Sequence, residues 1–241
     1  SFSAEDNGEL RVTLGGGGRR DPLFDAITAR QCTRSDYDGR RVPVRDLEEL
    51  SRAARRDGCE LVVIDDRARI EQVLELILEA TGIQVADPAF VDELQSWIRF
   101  NASAAIETGD GLYSACSGNP TLPTFLGKRV FRLAFKPKRE KERYARQVRS
   151  SAGLAVVTSA RDDAAHWVQA GRGYQRFALQ ATALGIRHAH LNPPVEVAST
   201  RRALQALLGL GERRPDLVLR YGYAPPMPRS LRRRVHDVLI A

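Results

Sequence analysis

Three short apolar runs, separated by longer stretches with helical periodicity, constrain the fold of this chain most strongly. They are ELVVID at 60–65, GLAVVTS at 153–159 and DLVLRY at 216–221. Runs of this length, rich in Val, Leu and Ile and bounded by polar residues, are typical of strands buried on both faces. Because few strands are distributed among many helices, the sequence predicts an α+β or α/β chain built on a central sheet.

Apolar residues repeated every three or four positions predict the helices. The strongest pattern covers 69–81 and places Gly82 where a C-terminal cap belongs. A second long helix is capped by Asp162 or Asp163 and stopped by Gly185. In that helix the stripe of Trp167, Tyr174 and Phe177 is assigned to the core or to a dimer interface. Further helices are predicted at 21–30, 44–58, 88–100, 138–150 and 200–208, and a sharp extended turn at 190–194.

Two other segments bear on domain organisation. The glycine run at 15–18 follows a short strand predicted within residues 8–14, and it is the best candidate for a domain boundary. Residues 101–137 are rich in glycine and proline and are predicted to be an irregular lid, arm or partner surface. We call this stretch the 101–137 arm.

Composition excludes several classes of protein. The chain has 241 residues, 43% of them hydrophobic and 28% charged, as in ordinary soluble globular proteins. The net charge of +7 suits an anionic ligand. Arginine pairs are scattered and lack interleaved aromatic residues, so a nucleic-acid-binding module is the weaker interpretation. Three cysteines and four histidines show neither disulfide nor metal-site spacing, and no metal is expected. No secretory or membrane-spanning segment is visible, and a cytoplasmic location is expected, or a periplasmic one if a signal precedes residue 1.

Four segments, taken in order, carry a family resemblance. They are RQCTRSDYDGRRVP (30–43), WIRFN with GDGL and GNP (97–120), WVQAGRGYQRFALQATALGI with HLNPPVEV (167–197), and LRYGYAPPMPRSLRRRV (219–235). Together they resemble the nitroreductase family, most closely its Acg-like, FMN-binding branch, in which two nitroreductase-like halves are fused. The resemblance implies the nitroreductase α+β fold, with a central sheet flanked by helices, and FMN as cofactor. It also implies that residues 1–18 are a remnant of a first half with its linker, and that 19–241 form an FMN-binding domain.

The resemblance also assigns site residues. Guanidinium groups suit a dianionic phosphate, and fixed donors near the flavin ring tune its reactivity. No side chain is expected to be catalytic, because the flavin N5 carries the chemistry. The residues implied for the ribityl chain, phosphate and pyrimidine edge are Arg30, Gln31, Cys32 and Arg34; for the isoalloxazine face and N5, His190, Leu191, Asn192 and Pro193; and for the phosphate again, Arg232 and Arg233.

Each segment also has a plainer interpretation. Residues 30–34 could be a solvated helix terminus, 192–194 a rigid turn, and the basic end a solvated tail. Against the last, the apolar rhythm of Leu231, Val235, Val238 and Leu239 predicts a docked tail.

Three features depart from the family pattern. Cys32 replaces a small hydroxyl residue, and Pro193 stands where relatives often have a Gly whose N–H points at N5. A Ser- and Asn-containing stretch, which the family has after its second helix, is absent here. These departures support flavin binding better than flavin turnover.

Two functions therefore follow from the resemblance. The first is an FMN-dependent oxidoreductase in which NAD(P)H reduces an unidentified small-molecule acceptor. The second is an FMN-binding or FMN-sequestering protein without turnover. The expected partners are NAD(P)H and the acceptor, with a homodimer or an association with a missing first half. Neither nucleic acid nor a membrane is an expected partner.

Overall fold

The computed structural model describes residues 2–4, 10–12, 20–231 and 233–239. The strands are β1 (Phe2–Ala4), β2 (Leu10–Val12), β3 (Cys59–Ile64), β4 (Ile98–Arg99), β5 (Leu112–Tyr113), β6 (Gly153–Ser159), β7 (Arg187–His190) and β8 (Arg214–Gly222). The helices are α1 (Ala26–Ala29), α2 (Val44–Ala54), α3 (Arg67–Ala86), α4 (Pro88–Trp97), α5 (Ala102–Thr108), α6 (Thr124–Ala134), α7 (Pro137–Arg149), α8 (Ala164–Ala183), α9 (Pro193–Glu196) and α10 (Ala198–Leu207). Short 3₁₀ turns lie at Ser114–Ser117 and Val235–Asp237.

A four-stranded antiparallel sheet in the order β3-β6-β8-β7 forms the centre of the fold. Every residue of β6 is buried, because helices cover both faces of the sheet. Ala155 and Val157 face the cluster that includes residues of α2 and α8. Leu154 and Val156 face the opposite cluster, with residues of α3, α7, α9 and α10. The structure thus confirms an α+β protein with a central sheet flanked by helices.

The strands predicted at 60–65, 153–159 and 216–221 are confirmed within one or two residues as β3, β6 and β8. The extended turn predicted at 190–194 is only partly right. Residues 187–190 form the edge strand β7, and α9 begins at Pro193. The strand was missed because Arg-His-Ala-His has no apolar run, and its pairing with β8 depends on tertiary contacts.

The predicted C-terminal cap at Gly82 is wrong. Helix α3 continues through Gly82 to Ala86, and Asp87 then caps α4 by accepting a hydrogen bond from the Ala89 N–H at 2.9 Å. Packing of α3 against α7 and α9 outweighs the low helix propensity of one glycine. The caps of α8 are as predicted, with Asp163 at its start and Gly185, at φ 70°, just beyond its end.

The 101–137 arm is not irregular, which corrects the prediction. It contains α5, α6, a 3₁₀ turn and the strand β5, which pairs in parallel with β4. Gly109, Gly111 and Gly118 have φ between 61° and 74°, so they serve as left-handed turns between short elements. The role of this arm as a lid or partner surface stays a prediction.

The two ends of the chain depart from the predictions. Helix α1 is a single turn of four residues instead of spanning 21–30. The predicted docking of the tail is wrong for its described residues, because more than half of the surface of each of its apolar side chains is exposed. These side chains are Leu231, Val235, Val238 and Leu239.

Two further predictions concern the N-terminal residues and the α8 stripe. The strand predicted within 8–14 corresponds to β2, which pairs with β1, while the glycine run at 15–18 lies outside the described residues. In the α8 stripe, Phe177 is fully buried as predicted and Tyr174 is half-buried. Trp167 is 53% exposed, so it is not a core residue. No helix in the described part of the chain is long and apolar enough to cross a membrane.

Candidate functional site

Residues 30–34, which we call the 30–34 segment, lie beside the edge strand of the sheet. Cys32 pairs with His188 of β7 in a parallel bridge, and the Thr33 N–H donates to the His188 carbonyl at 2.9 Å. Thr33 is fully buried, whereas Arg30 and Arg34 are half-buried. The segment is therefore an extension of the sheet, which fixes its backbone and leaves its arginines at the surface.

A buried arginine of β8 holds the same segment from the sheet side. Arg220 is 1% exposed, and its Nη2 donates to the carbonyls of Thr33 at 3.3 Å and Ser35 at 2.9 Å. Its Nη1 donates to the Gln147 carbonyl at 3.4 Å, and its guanidinium lies 4.1 Å from the centre of the Tyr37 ring. Burial lowers the pKa of Arg220. Sequence reasoning missed this residue, although a lone cation inside a strand buried on both faces calls for an explanation.

Met227, which precedes the exposed tail, ties the 30–34 segment to the residues that follow β8. Its N–H donates to Gln31 Oε1 at 2.9 Å, and its carbonyl accepts from Gln31 Nε2 at 2.6 Å. Its sulfur accepts from the Arg34 N–H at 3.1 Å. Arg229 adds hydrogen bonds to the carbonyls of residues 28 and 29. Both polar atoms of the Gln31 side chain are thus engaged by the chain itself, and a contact of Gln31 with a ligand requires an exchange of these bonds.

The guanidinium groups of Arg30 and Arg34 have no hydrogen-bond or carboxylate partner among the described residues. Arg34 also lines a cavity of about 380 Å³ formed by α3, α4, α7 and the 101–137 arm. Apolar and aromatic side chains make up most of its wall, and Arg143 and Glu140 add charge. This volume lies within the range of small-molecule pockets. The aromatic residues of the wall are Phe90, Phe100, Phe131, Phe135 and Tyr144.

The residues expected along the flavin ring differ in how deeply the structure buries them. Leu191 is 1% exposed in the core, and Pro193 is buried at the start of α9. The Asn192 side chain accepts from the Val218 N–H at 3.1 Å and so fixes the turn. His190 remains half-buried, with its ring 4.7 Å from the ring of Tyr174. Of these four residues, His190 is the one that the structure brings to Cys32.

Arg233 contacts the 101–137 arm. Arg233 lies 4.0 Å from the Asp110 carboxylate of the 101–137 arm, and Arg99 pairs with the same carboxylate at 2.6 Å. Arg232 lies outside the described residues. The structure therefore gives Arg233 an ionic partner in the arm.

Cys32, Tyr174, His188 and His190 form a polar cluster between the sheet edge and α8, which we call the thiol cluster. The Tyr174 hydroxyl lies 3.7 Å from Cys32 Sγ and 3.3 Å from His188 Nε2. Burial raises the pKa of the Cys32 thiol, but hydrogen bonds with His188 and His190 outweigh it and lower that pKa to about 4. Burial and the facing Cys32 raise the pKa of Tyr174, which stays protonated. Because side chains alternate along β7, His188 and His190 share one face, where the rings of both lie near the Tyr174 ring.

We compared the sequence and the fold with those of known proteins. No protein-family model matches the sequence. Two curated proteins of Mycobacterium tuberculosis, from strains H37Rv and CDC 1551, carry the provisional name NAD(P)H nitroreductase. Each is 26% identical over 223 residues, which cover 90% of this chain and 61% of the relative. The chain thus spans less than two thirds of the length of these relatives.

Solved structures match over nearly their whole length. A nitroreductase with bound FMN from Bacteroides fragilis superposes with a TM-score of 0.57 at 14% identity, over 92% of this chain and 99% of that one. An iodotyrosine deiodinase bound to FMN and 3-iodo-L-tyrosine gives 0.58 at 13% identity, over 91% and 97%. The fold is that of the nitroreductases. Sequence similarity to the curated relatives also supports the nitroreductase family.

Within this nitroreductase fold, the 30–34 segment contributes to two features: Cys32 belongs to the thiol cluster beside α8, and Arg34 lines the cavity beside α3 and α7, helices that cover the opposite face of the sheet. Arg34 belongs to both the segment and the cavity wall. No group of three His, Cys, Asp or Glu side chains suited to a metal ion occurs among the described residues. The arrangement combines unpaired cations with an apolar cavity, which suits a ligand that is anionic at one end and apolar at the other.

Proposed function

We propose that this chain binds FMN and acts as an NAD(P)H-dependent oxidoreductase toward an unidentified small-molecule acceptor. The observation that carries the proposal is the guanidinium of Arg34, which lies at the wall of the apolar cavity and has no partner among the residues that the structure describes. FMN joins a flat, largely apolar ring system to a dianionic phosphate, so it needs both features. The FMN-bound structures that share the fold, and the names of the curated relatives, support the same assignment.

The residues present fit this cofactor. Arg30 and Arg34 are free to pair with phosphate oxygens, and Arg220 fixes the backbone that carries Arg34. We also assign Gln31 and Cys32 of the same segment to the FMN site. The residues assigned to the flavin ring are His190, Leu191, Asn192 and Pro193. Two further cations, Arg232 and Arg233, are assigned to the phosphate. Bound FMN supplies hydride acceptance and donation. The apolar cavity wall excludes water, and the Tyr174 hydroxyl holds its proton beside Cys32.

A second candidate is an FMN-binding protein without turnover. Pro193 favours it, because proline offers no N–H donor and this residue is buried at the start of α9. The engaged side chain of Gln31 favours it as well, since it is not available to tune the ring.

The exposed surface near the site bears on how the chain assembles with a partner. The 101–137 arm exposes Phe125 by 78% and Leu133 by 71%, which suits a lid or a partner surface. We propose that this partner is a second copy of the chain or a preceding half-domain, with residues 1–18 as the connection and residues 19–241 as the FMN-binding domain. NAD(P)H as reductant supports a cytoplasmic location.

Flavin binding is tested by adding FMN to the purified chain and measuring the flavin absorption spectrum and the dissociation constant. Arg30→Ala/Arg34→Ala removes two phosphate partners worth about 1.5–3 kcal/mol each, so affinity should fall by at least about 100-fold. The matched control, Arg45→Ala/Arg52→Ala, removes the same charge from exposed positions on α2. Equal affinities of the two double variants would refute the site. Arg233→Ala should have a smaller effect, since Arg233 is paired with Asp110.

Turnover is tested separately. Under anaerobic conditions, excess NADH or NADPH should bleach the band of bound oxidised flavin. A flavin that binds tightly and stays oxidised under both donors would contradict the oxidoreductase and support the second candidate.

A further inference from the structure

We propose that Cys32 is held as a thiolate at neutral pH and is a modification site for hydroperoxides and other small electrophiles. This proposal does not rest on flavin binding, because every group it uses belongs to the chain. It concerns a reaction of the protein itself, distinct from hydride transfer.

The geometry supplies hydrogen-bond donors to the sulfur. The Tyr174 hydroxyl lies 3.7 Å from Cys32 Sγ and is linked to His188 Nε2 at 3.3 Å. His188 is fully buried, and the Nδ1 atoms of both His188 and His190 have no hydrogen-bond partner within the described part of the chain. Two imidazoles with spare polar atoms beside a sulfur are a donor set that suits an anion.

The surrounding charge acts in the same direction. Arg30 and Arg34 flank Cys32 in sequence, and neither has a carboxylate partner among residues 20–231 and 233–239. The other titratable groups near the thiol are Tyr174 on α8, the two histidines of β7 and Tyr37, and none of them is a carboxylate. Burial raises the pKa of the thiol, but the neighbouring His188 and His190 side chains outweigh it and lower that pKa to about 4. The sheet fixes the two histidines and the backbone that carries Cys32, so these groups stay beside the sulfur.

Cys59 provides a contrast within the same chain. It is 1% exposed, its thiol faces the His166 carbonyl at 3.6 Å, and burial raises its pKa to about 11. Cys32, in contrast, is only half-buried. The two thiols should therefore differ in reactivity by orders of magnitude at neutral pH.

With a hydroperoxide the reaction is a two-electron oxidation of sulfur. The thiolate attacks the distal oxygen, an S–O bond forms, and the O–O bond breaks. The leaving oxygen departs as water or an alcohol after taking a proton from solvent, and Cys32 becomes a sulfenic acid. The sulfur loses the two electrons that the peroxide oxygen gains.

The test measures alkylation of each cysteine by iodoacetamide, resolved by peptide mass spectrometry, on the purified full chain. Between about pH 5.5 and 8.5 an ordinary thiol would react about tenfold faster per pH unit. The rate at Cys32 should change by less than about twofold over that range, whereas Cys59 should stay unlabelled. A rate at Cys32 that rises tenfold per unit would overturn the proposal. Hydrogen peroxide followed by dimedone at the lower pH should add a sulfenic-acid adduct at Cys32, and no adduct there would also overturn it.

Variants test whether the neighbouring side chains lower the pKa of the Cys32 thiol or whether the thiol is merely exposed. Tyr174→Phe and His190→Gln each remove one partner, so the pH profile of Cys32 labelling, followed down to about pH 4, should move upward by about one unit. His236→Gln, in the exposed tail, is the matched control and should leave the profile unchanged. Unaltered profiles in both cluster variants would contradict the assignment of the donors.

Repeating the measurement with saturating FMN keeps the two proposals distinct. If FMN does not bind, the pH profile of Cys32 is the same with and without it, and the thiolate is still tested. If FMN binds and the profile is that of an ordinary thiol, the flavin proposal stands and this one fails.

Discussion

Arg220→Met is the substitution that most directly tests how the 30–34 segment is held. Methionine has a similar length and is apolar, so it fills the same buried space without a charge. The substitution removes three hydrogen bonds, to the carbonyls of Thr33, Ser35 and Gln147, and the contact with the Tyr37 ring. The question is how much these contacts stabilise the fold beyond the cost of burying a cation.

The structure allows the magnitude to be worked out. The Thr33 carbonyl keeps the Tyr37 hydroxyl as a donor at 2.9 Å, and the Gln147 carbonyl keeps two serine hydroxyls at 3.0 and 2.7 Å. Only the Ser35 carbonyl loses its donor, which costs about 1–3 kcal/mol, and the lost cation–π contact adds about 1 kcal/mol. Removing a desolvated charge offsets part of this. We expect a net loss of about 2 kcal/mol, or roughly 4–8 °C in Tm for a domain of this size.

The assay is urea unfolding followed by circular dichroism, with hydrogen exchange of the Thr33 amide as a local probe. Arg146→Met is the matched control, because Arg146 pairs with Asp36 at 2.9 Å but is 61% exposed, and surface pairs contribute little. Arg220→Lys should be less stable than Arg220→Met, since it keeps the buried charge and loses the fork of donors. A Met variant within about 0.5 kcal/mol of the parent, with unchanged exchange at Thr33, would refute the reasoning.

Two further substitutions probe the cavity and the sheet. Gly127→Ala places a Cβ 2.4 Å from Cγ of the buried Phe100 ring, so α6 or the ring must move; thermal unfolding should show a loss of about 1–3 kcal/mol, and an unchanged Tm would contradict this packing. Tyr221→Phe removes a buried hydroxyl that has no partner in the described structure, so stability should hold or rise by up to about 1 kcal/mol, whereas a clear loss would show that the hydroxyl is bonded.

The sequence predicted the parts of the fold that local patterns encode. The strand β6 is buried along its whole length, and β3 and β8 are partly buried; each contains a short apolar run that polar residues or turns delimit. Edge strand β7 has no such run, and its conformation follows from pairing with β8. The arm was misjudged because glycines that end short helices look, in sequence, like those of an unstructured loop.

The sequence predicted candidate site residues, but not the contacts among them. The pattern around residues 30–34 identifies a cationic segment, yet nothing local indicates that Gln31 is engaged by Met227, almost two hundred residues away. Arg220 and Tyr174 contribute through long-range contacts, so only their unusual surroundings would have identified them. Of the two, Arg220 could more readily have been predicted from the sequence, because a charge within DLVLRY must find carbonyl partners or destabilise the strand.

The flavin-binding proposal and the thiolate proposal involve the same few residues. Variants of these residues can therefore distinguish the two proposals. Arg30 and Arg34 would serve the phosphate of a flavin and also favour a thiolate at Cys32, so removing both should weaken flavin binding and raise the pKa of the thiol. Tyr174→Phe leaves both cations in place and removes a donor 3.7 Å from the sulfur. It should therefore shift the alkylation profile more than it shifts the flavin dissociation constant. If both substitutions changed the two measurements in equal proportion, the segment would be responding as one folded unit, and neither residue-level assignment would hold.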